Sequence, residues 1–122
     1  MNHFLFPEAT HPDKRTPKYG TVAVPALIQL LKNHGSAVED LEAQVFGGAT
    51  LSYDDTENQG WQNVRVALNA LAEEGIRVCS QDVGGTKGRR VVYHTATNEA
   101  IVMKTDKIRQ EDWMSYLGHV VD

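Results

Sequence analysis

Two side chains in this sequence have the reactivity that hydrolysis at neutral pH draws on, His3 and Cys79. An imidazole titrates near 6.5, so His3 could move protons as a general base. Taken alone, its setting beside Phe4 and Phe6 fits a satisfied structural histidine better than a catalyst. Cys79 is the sequence's one cysteine, and a nucleophilic thiol needs a histidine or a helix N-terminus to lower its pKa. The neighbouring Val78 and Ser80 offer neither, which predicts a small buried hydrophobe in mid-strand. Pairing Cys79 with His3 would demand that the two side chains lie within hydrogen-bond reach. The five histidines, His3, His11, His34, His94 and His119, show no paired ligand spacing, and without a cysteine cluster no metal is expected. Gly84-Gly85-Thr86-Lys87-Gly88-Arg89-Arg90 could cradle an anion, but it departs from the GxxxxGK[ST] phosphate loop and reads better as a turn before a hairpin. Gly47-Gly48-Ala49, directly after a strand pattern, suits either a tight turn or a substrate cleft at strand ends. No cofactor motif or carboxylate pair presents itself, so no cofactor is expected.

The frame around these residues is ordinary. A chain of 122 residues with 41% hydrophobic and 23% charged side chains makes one compact domain and excludes disorder or low complexity. A net charge of −4 gives no field for collecting phosphates, and Lys87, Arg89 and Arg90 are too small a cluster to argue for nucleic acid. The lone cysteine suits a reducing compartment, hence cytoplasm. The start Met1-Asn2-His3-Phe4-Leu5-Phe6-Pro7 has neither the basic leader nor the apolar run of a signal peptide, and no later stretch reads as a membrane span.

The pattern along the chain supplies the elements. His3 to Phe6 reads as a short strand ended by Pro7, and Pro7, Pro12 and Pro17 make residues 7–18 a loop. Val24, Leu27, Ile28 and Leu31 form a helical stripe stopped at Gly35, with Pro25 near the first turn. Leu41 to Phe46 alternates with period two. Thr50 to Gly60 is a polar connection, and Val64, Leu68, Leu71 and Ala72 mark a second helix stopped by Gly75. Ile76 to Asp82 reads as a strand, while Arg90 to Thr95 and Ala100 to Lys104 form a hairpin. Ile108, Trp113 and Leu117 give the tail over 105–122 a loosely helical pattern. The order β-α-β-α-β-β-β predicts an α/β domain with helices covering a mixed sheet.

Read together, His3-Phe4-Leu5-Phe6-Pro7, Lys18-Tyr19-Gly20, Leu41 to Ala49, Gly75-Ile76, Asp82-Val83-Gly84-Gly85 and Gly88-Arg89 resemble, in order and spacing, the CheD family of chemoreceptor glutamine deamidases. The resemblance covers residues 1–104. It implies a three-layer α/β sandwich and a cysteine-histidine hydrolase that converts receptor glutamine side chains to glutamate. It also implies two partners, the cytoplasmic helical region of chemoreceptors and the phosphatase CheC. His3 matches the family's catalytic histidine, and Gly47, Gly48 and Asn63 fall where substrate contacts are expected. Family members carry the nucleophile in a Gly-Ser-Cys segment, with an orienting threonine, upstream of this histidine. The expectation is therefore a CheD-type domain shortened at its N-terminus. Its alternative is a non-catalytic CheD-like module that binds chemoreceptors or CheC. Gln62 stands where arginine is common in a Gly-x-Arg-Asn pattern, and Thr86 where asparagine is frequent.

Overall fold

The computed structural model describes residues 1–50 and 59–105. Most of the connection expected over Thr50–Gly60, and the tail from Asp106, therefore lie outside the described residues. The elements are α1 (Gly20–Asn33), β1 (Glu42–Gly47), α2 (Gln59–Glu73), β2 (Arg77–Val83), β3 (Arg89–His94) and β4 (Glu99–Lys104), with short 3-10 turns at Pro12–Lys14 and Val38–Asp40. The class is α/β. Its strands form two two-stranded sheets, a parallel β1–β2 pair and an antiparallel β3–β4 hairpin, where the sequence predicts a single mixed sheet.

The first predicted strand contracts to an isolated parallel bridge between Phe6 and Tyr19. Three prolines in the following loop keep a partner from running alongside it. The segment is instead fastened residue by residue. The Leu5 and Phe6 amides donate to the Lys18 carbonyl at 2.9 and 3.1 Å, and Gly20 and Thr21 at the start of α1 donate to the Phe6 and Pro7 carbonyls at 2.8 and 3.1 Å. Two otherwise unpaired helix N–H groups are thereby satisfied without a side-chain cap. Gly20 must be glycine, because a Cβ there would stand 2.7 Å from the Phe4 ring and 2.8 Å from Val66 Cγ1.

Ala23, Val24 and Ile28 of α1 and Val64, Ala67 and Leu71 of α2 are buried, together with Leu5 and Ile76. Leu41, Ala43, Val45 and Val78 close this core from the sheet. The buried stripe of α1 is rotated from the predicted one. Leu31 is 38% exposed, Leu27 lines a surface groove, and Ala23 takes up the inner face. In α2, Ala67 is inside and Ala72 outside. Gly75, at φ +72°, ends α2. The Gly75 amide donates to the Ala72 carbonyl and that of Ile76 to the Leu71 carbonyl, the Schellman pattern that turns the chain into β2.

The β1 alternation holds, with Ala43 and Val45 inward and Glu42 and Gln44 outward. In β2 it breaks. The register steps from Ala43↔Val78 to Gln44↔Ser80, so Cys79 is an extra, unpaired residue in a bulge.

Candidate functional site

His3 lies at the rim of an open groove of about 790 Å³, shared with Asn2, Lys18, Ala26, Leu27 and Leu30 among others. Two anchors hold this stretch of chain. Upstream, Asn2 Nδ2 donates to the Ala23 carbonyl of α1 at 3.0 Å. Downstream, the Leu5 side chain is sunk in the core, and its carbonyl accepts Gln59 Nε2 at 2.8 Å and Asn63 Nδ2 at 2.9 Å. The two amides sit one turn apart on α2, hence on one face. His3 is an exposed residue. The groove wall nevertheless strips part of the ring's hydration, and this desolvation holds its pKa below the ordinary 6.5. An imidazole so placed is neutral at physiological pH and able to accept a proton.

Asn63, expected at the substrate, is thus committed through its N–H group to the Leu5 backbone, and its Oδ1 is buried without a hydrogen-bond partner among the described residues. Gly47 and Gly48 stand apart from the groove. A Cβ on Gly48 would run into Val64 Cγ2 and lie 2.8 Å from the Gly60 carbonyl oxygen. The glycine is there for the close passage of β1's end over the start of α2. Gly47, Gly48 and Asn63 line no wall of the groove that holds His3.

Cys79 corrects an expectation. The thiol is exposed, where the sequence predicts a buried hydrophobe, because Ile76 is buried and Val78 half-buried, so alternation leaves Cys79 on the outer face, where its Sγ donates to the Ala43 carbonyl at 3.3 Å. It is not among the residues that share the groove with His3.

The glycine-rich turn holds a structural cation. Arg89, its side chain 5% exposed, donates from Nη1 to the carbonyls of Gly84 at 2.6 Å, Lys87 at 3.0 Å and Gly47 at 3.4 Å. Its Nη2 meets Asp82 Oδ1 at 2.9 Å. With the guanidinium spent on the ends of β1 and β2, the turn reading prevails over the anion cradle. The hydrogen bond from Arg89 is the largest cause holding the Asp82 carboxyl below its usual range, with Lys104 at 3.2 Å adding to it. Sequence reasoning missed Gln59, and the signal that could have found it is the four-residue spacing from Asn63. Among the described residues no cluster of three metal-ligating side chains occurs, and no helix is long and apolar enough to cross a membrane.

Fold and groove together define an α/β domain that presents a histidine at the edge of an open cleft. The family model described as CheD chemotactic sensory transduction matches residues 5–104, and the chain belongs to the CheD family. His3 falls just ahead of the matched span, whereas Gly47, Gly48, Asn63 and Arg89 fall within it. The chain is 39% identical over 105 residues to a probable chemoreceptor glutamine deamidase CheD 1 of Anaeromyxobacter dehalogenans, covering 84% of this chain and 60% of that protein. It is 42% identical over 107 residues to a probable chemoreceptor glutamine deamidase CheD of Bordetella petrii, covering 85% and 48%. To the chemoreceptor glutamine deamidase CheD of Thermotoga maritima it is 34% identical over 104 residues, covering 85% and 66%. The chain thus spans about half to two thirds of the length of the curated relatives it matches.

Proposed function

We propose that this chain is the histidine-bearing part of a cytoplasmic chemoreceptor glutamine deamidase, with His3 as its proton-transfer residue. The observation that carries the reading is His3 itself, an anchored imidazole at the rim of a groove wide enough for a side-chain amide. In this reading the neutral imidazole takes the proton of a thiol, becoming imidazolium, and the thiolate attacks the glutamine carboxamide carbon to form a tetrahedral oxyanion. Imidazolium gives its proton to the departing nitrogen as the C–N bond breaks, leaving ammonia and a thioester. Water then loses a proton to the neutral imidazole and attacks the thioester, yielding glutamate and regenerating the thiolate. The new carboxylate adds charge to a receptor helix bundle and shifts its signalling equilibrium.

Cys79 does not line the groove that holds His3 and its Sγ is engaged with the Ala43 carbonyl, so the thiolate in this reading comes from outside these 122 residues. The same observation favours a second reading, in which these residues are a binding module for the receptor or for CheC. One experiment tests both. Natural-length protein and the 122-residue chain are each incubated with the cytoplasmic region of a chemoreceptor, and ammonia release, receptor mass and co-sedimentation are measured. The deamidase reading expects activity from the natural-length protein that falls by about 10²–10⁴ in His3→Ala. The module reading expects receptor binding with no ammonia from either. Full activity in His3→Ala would remove His3 from the mechanism.

A further inference from the structure

We propose that Asn63, supported by Gln59, is a positioning residue for His3, acting through the Leu5 carbonyl oxygen. The proposal rests on His3 serving the deamidation described above, and it moves Asn63 from the substrate to the support behind the groove.

Among the described residues the His3 segment has no strand ladder, and the Phe6–Tyr19 bridge is the one strand pairing it makes. Its place is therefore set by individual bonds. Leu5 carries the most, with its side chain 3% exposed, its N–H on the Lys18 carbonyl, and its carbonyl taking both amides of α2. Those two donors fill both lone pairs of the oxygen. Asn63 immediately precedes Val64, a core residue of α2, so the donor is fixed to a helix packed into the core. His3 is two residues upstream, at most about 7 Å of extended chain, and a shift of the Leu5 peptide passes to the imidazole with little slack.

The orientation of Asn63 supplies the second argument. Directing Nδ2 at Leu5 leaves Oδ1 buried with no partner among the described residues. A buried acceptor left unpaired is destabilising, and an apolar residue of similar shape would avoid that loss. Keeping the amide is explained by what its N–H holds. Stability and function commonly conflict at such positions.

The test uses the full chain with Asn63→Leu, which is close in volume and removes both donor and orphan acceptor, and separately Gln59→Ala. The His3 ring is titrated by NMR, and amide exchange is followed at Leu5 and Phe6. Lys18 is the charged side chain that shares the groove with His3, and α1 presents Ala23, Ala26, Leu27 and Leu30 there. Asn63→Leu is expected to stay folded, to speed Leu5 and Phe6 exchange about tenfold, and to move the His3 midpoint up toward 6.5 as the ring regains water. In natural-length protein the variant lowers kcat for deamidation by roughly 10- to 100-fold with KM unchanged, as a misplaced catalytic group should. A folded Asn63→Leu with the His3 midpoint and Leu5 exchange unmoved overturns the proposal, as does a raised KM with kcat intact. Should Asn63→Leu unfold, Gln59→Ala decides by the same two NMR readouts, with smaller shifts expected and none refuting. Absence of deamidase activity in the wild-type natural-length protein would remove the parent reading alone, because imidazole titration and amide exchange need no receptor.

Discussion

Replacing Gly48 by alanine tests whether the end of β1 must pass so close to α2. The new methyl group meets two obstacles. Its backbone sits at φ +72°, where a side chain costs about 1–2 kcal/mol, and the Cβ overlaps Val64 Cγ2 while standing 2.8 Å from the Gly60 carbonyl oxygen. Val64 is buried and the Gly60 oxygen is backbone, so neither yields as a flexible surface side chain would. Overpacking of this kind adds about 1–3 kcal/mol, giving a total of roughly 2–5 kcal/mol. Gly75 provides the control, having the same φ of +72° with no heavy atom within 4 Å of its would-be Cβ. Gly75→Ala therefore carries the conformational part alone. Guanidinium unfolding of both variants, with thermal melts at about 3–5 °C per kcal/mol for a chain of this length, separates the two contributions. The close approach would be refuted by a Gly48→Ala loss equal to or smaller than that of Gly75→Ala.

Arg89→Met strips the donors from the carbonyls of Gly47, Gly84 and Lys87, and guanidinium unfolding should register a loss of roughly 2–4 kcal/mol. Arg89→Lys should recover little of it, since an ammonium cannot reproduce the planar fork. The Asp82 carboxyl is held below the ordinary aspartate value of 3.8 by Arg89 and Lys104, so in the acid range around and below that value the unfolded chain binds more protons than the folded one. Asp82 therefore stabilises the fold fully above 3.8 and progressively less as pH falls through its lower folded value. Urea midpoints across that acid limb should flatten in Asp82→Asn. Gly20→Ala sets a Cβ against the Phe4 ring at 2.7 Å and should cost about 1–3 kcal/mol. Phe4→Leu in the same chain should return part of the lost melting temperature, because it withdraws the obstructing ring edge.

Local signals were readable where one physical effect dominated. The helix stop at Gly75 followed from its left-handed backbone, the β1 alternation from period two, and the hairpin from two β-rich runs around a turn. Three features escaped because they depend on contacts distant in sequence. The strand expected at His3–Phe6 shrinks to a bridge, since alternation says nothing about whether a partner is available. Cys79 faces outward because Val78 beside it takes the inner position, and the bulge that leaves Ser80 outward as well is not disclosed by one strand's pattern. Leu27 and Leu31 leave the core because Gly20 and Ala23 let α1 turn a smaller face toward Phe4 and α2. In the site, the expectations at His3 and Asn63 came from the resemblance to the CheD family rather than from residue types alone. That Asn63 grips the Leu5 backbone needed the fold, because a side-chain amide serves substrate or main chain equally well.

The pairing of β1 with β2 has a consequence for biogenesis. Glu42 finds its partner Arg77 35 residues later, whereas His94 and Glu99 at the β3–β4 turn come together almost as soon as both exist. At translation speeds of 5–20 residues per second, β1 leaves the ribosome about 2–7 s before β2. Throughout that interval Val45 and Phe46 border an unsatisfied backbone edge, with Glu42 and Gln44 as the polar residues beside them that discourage pairing with a neighbouring nascent chain.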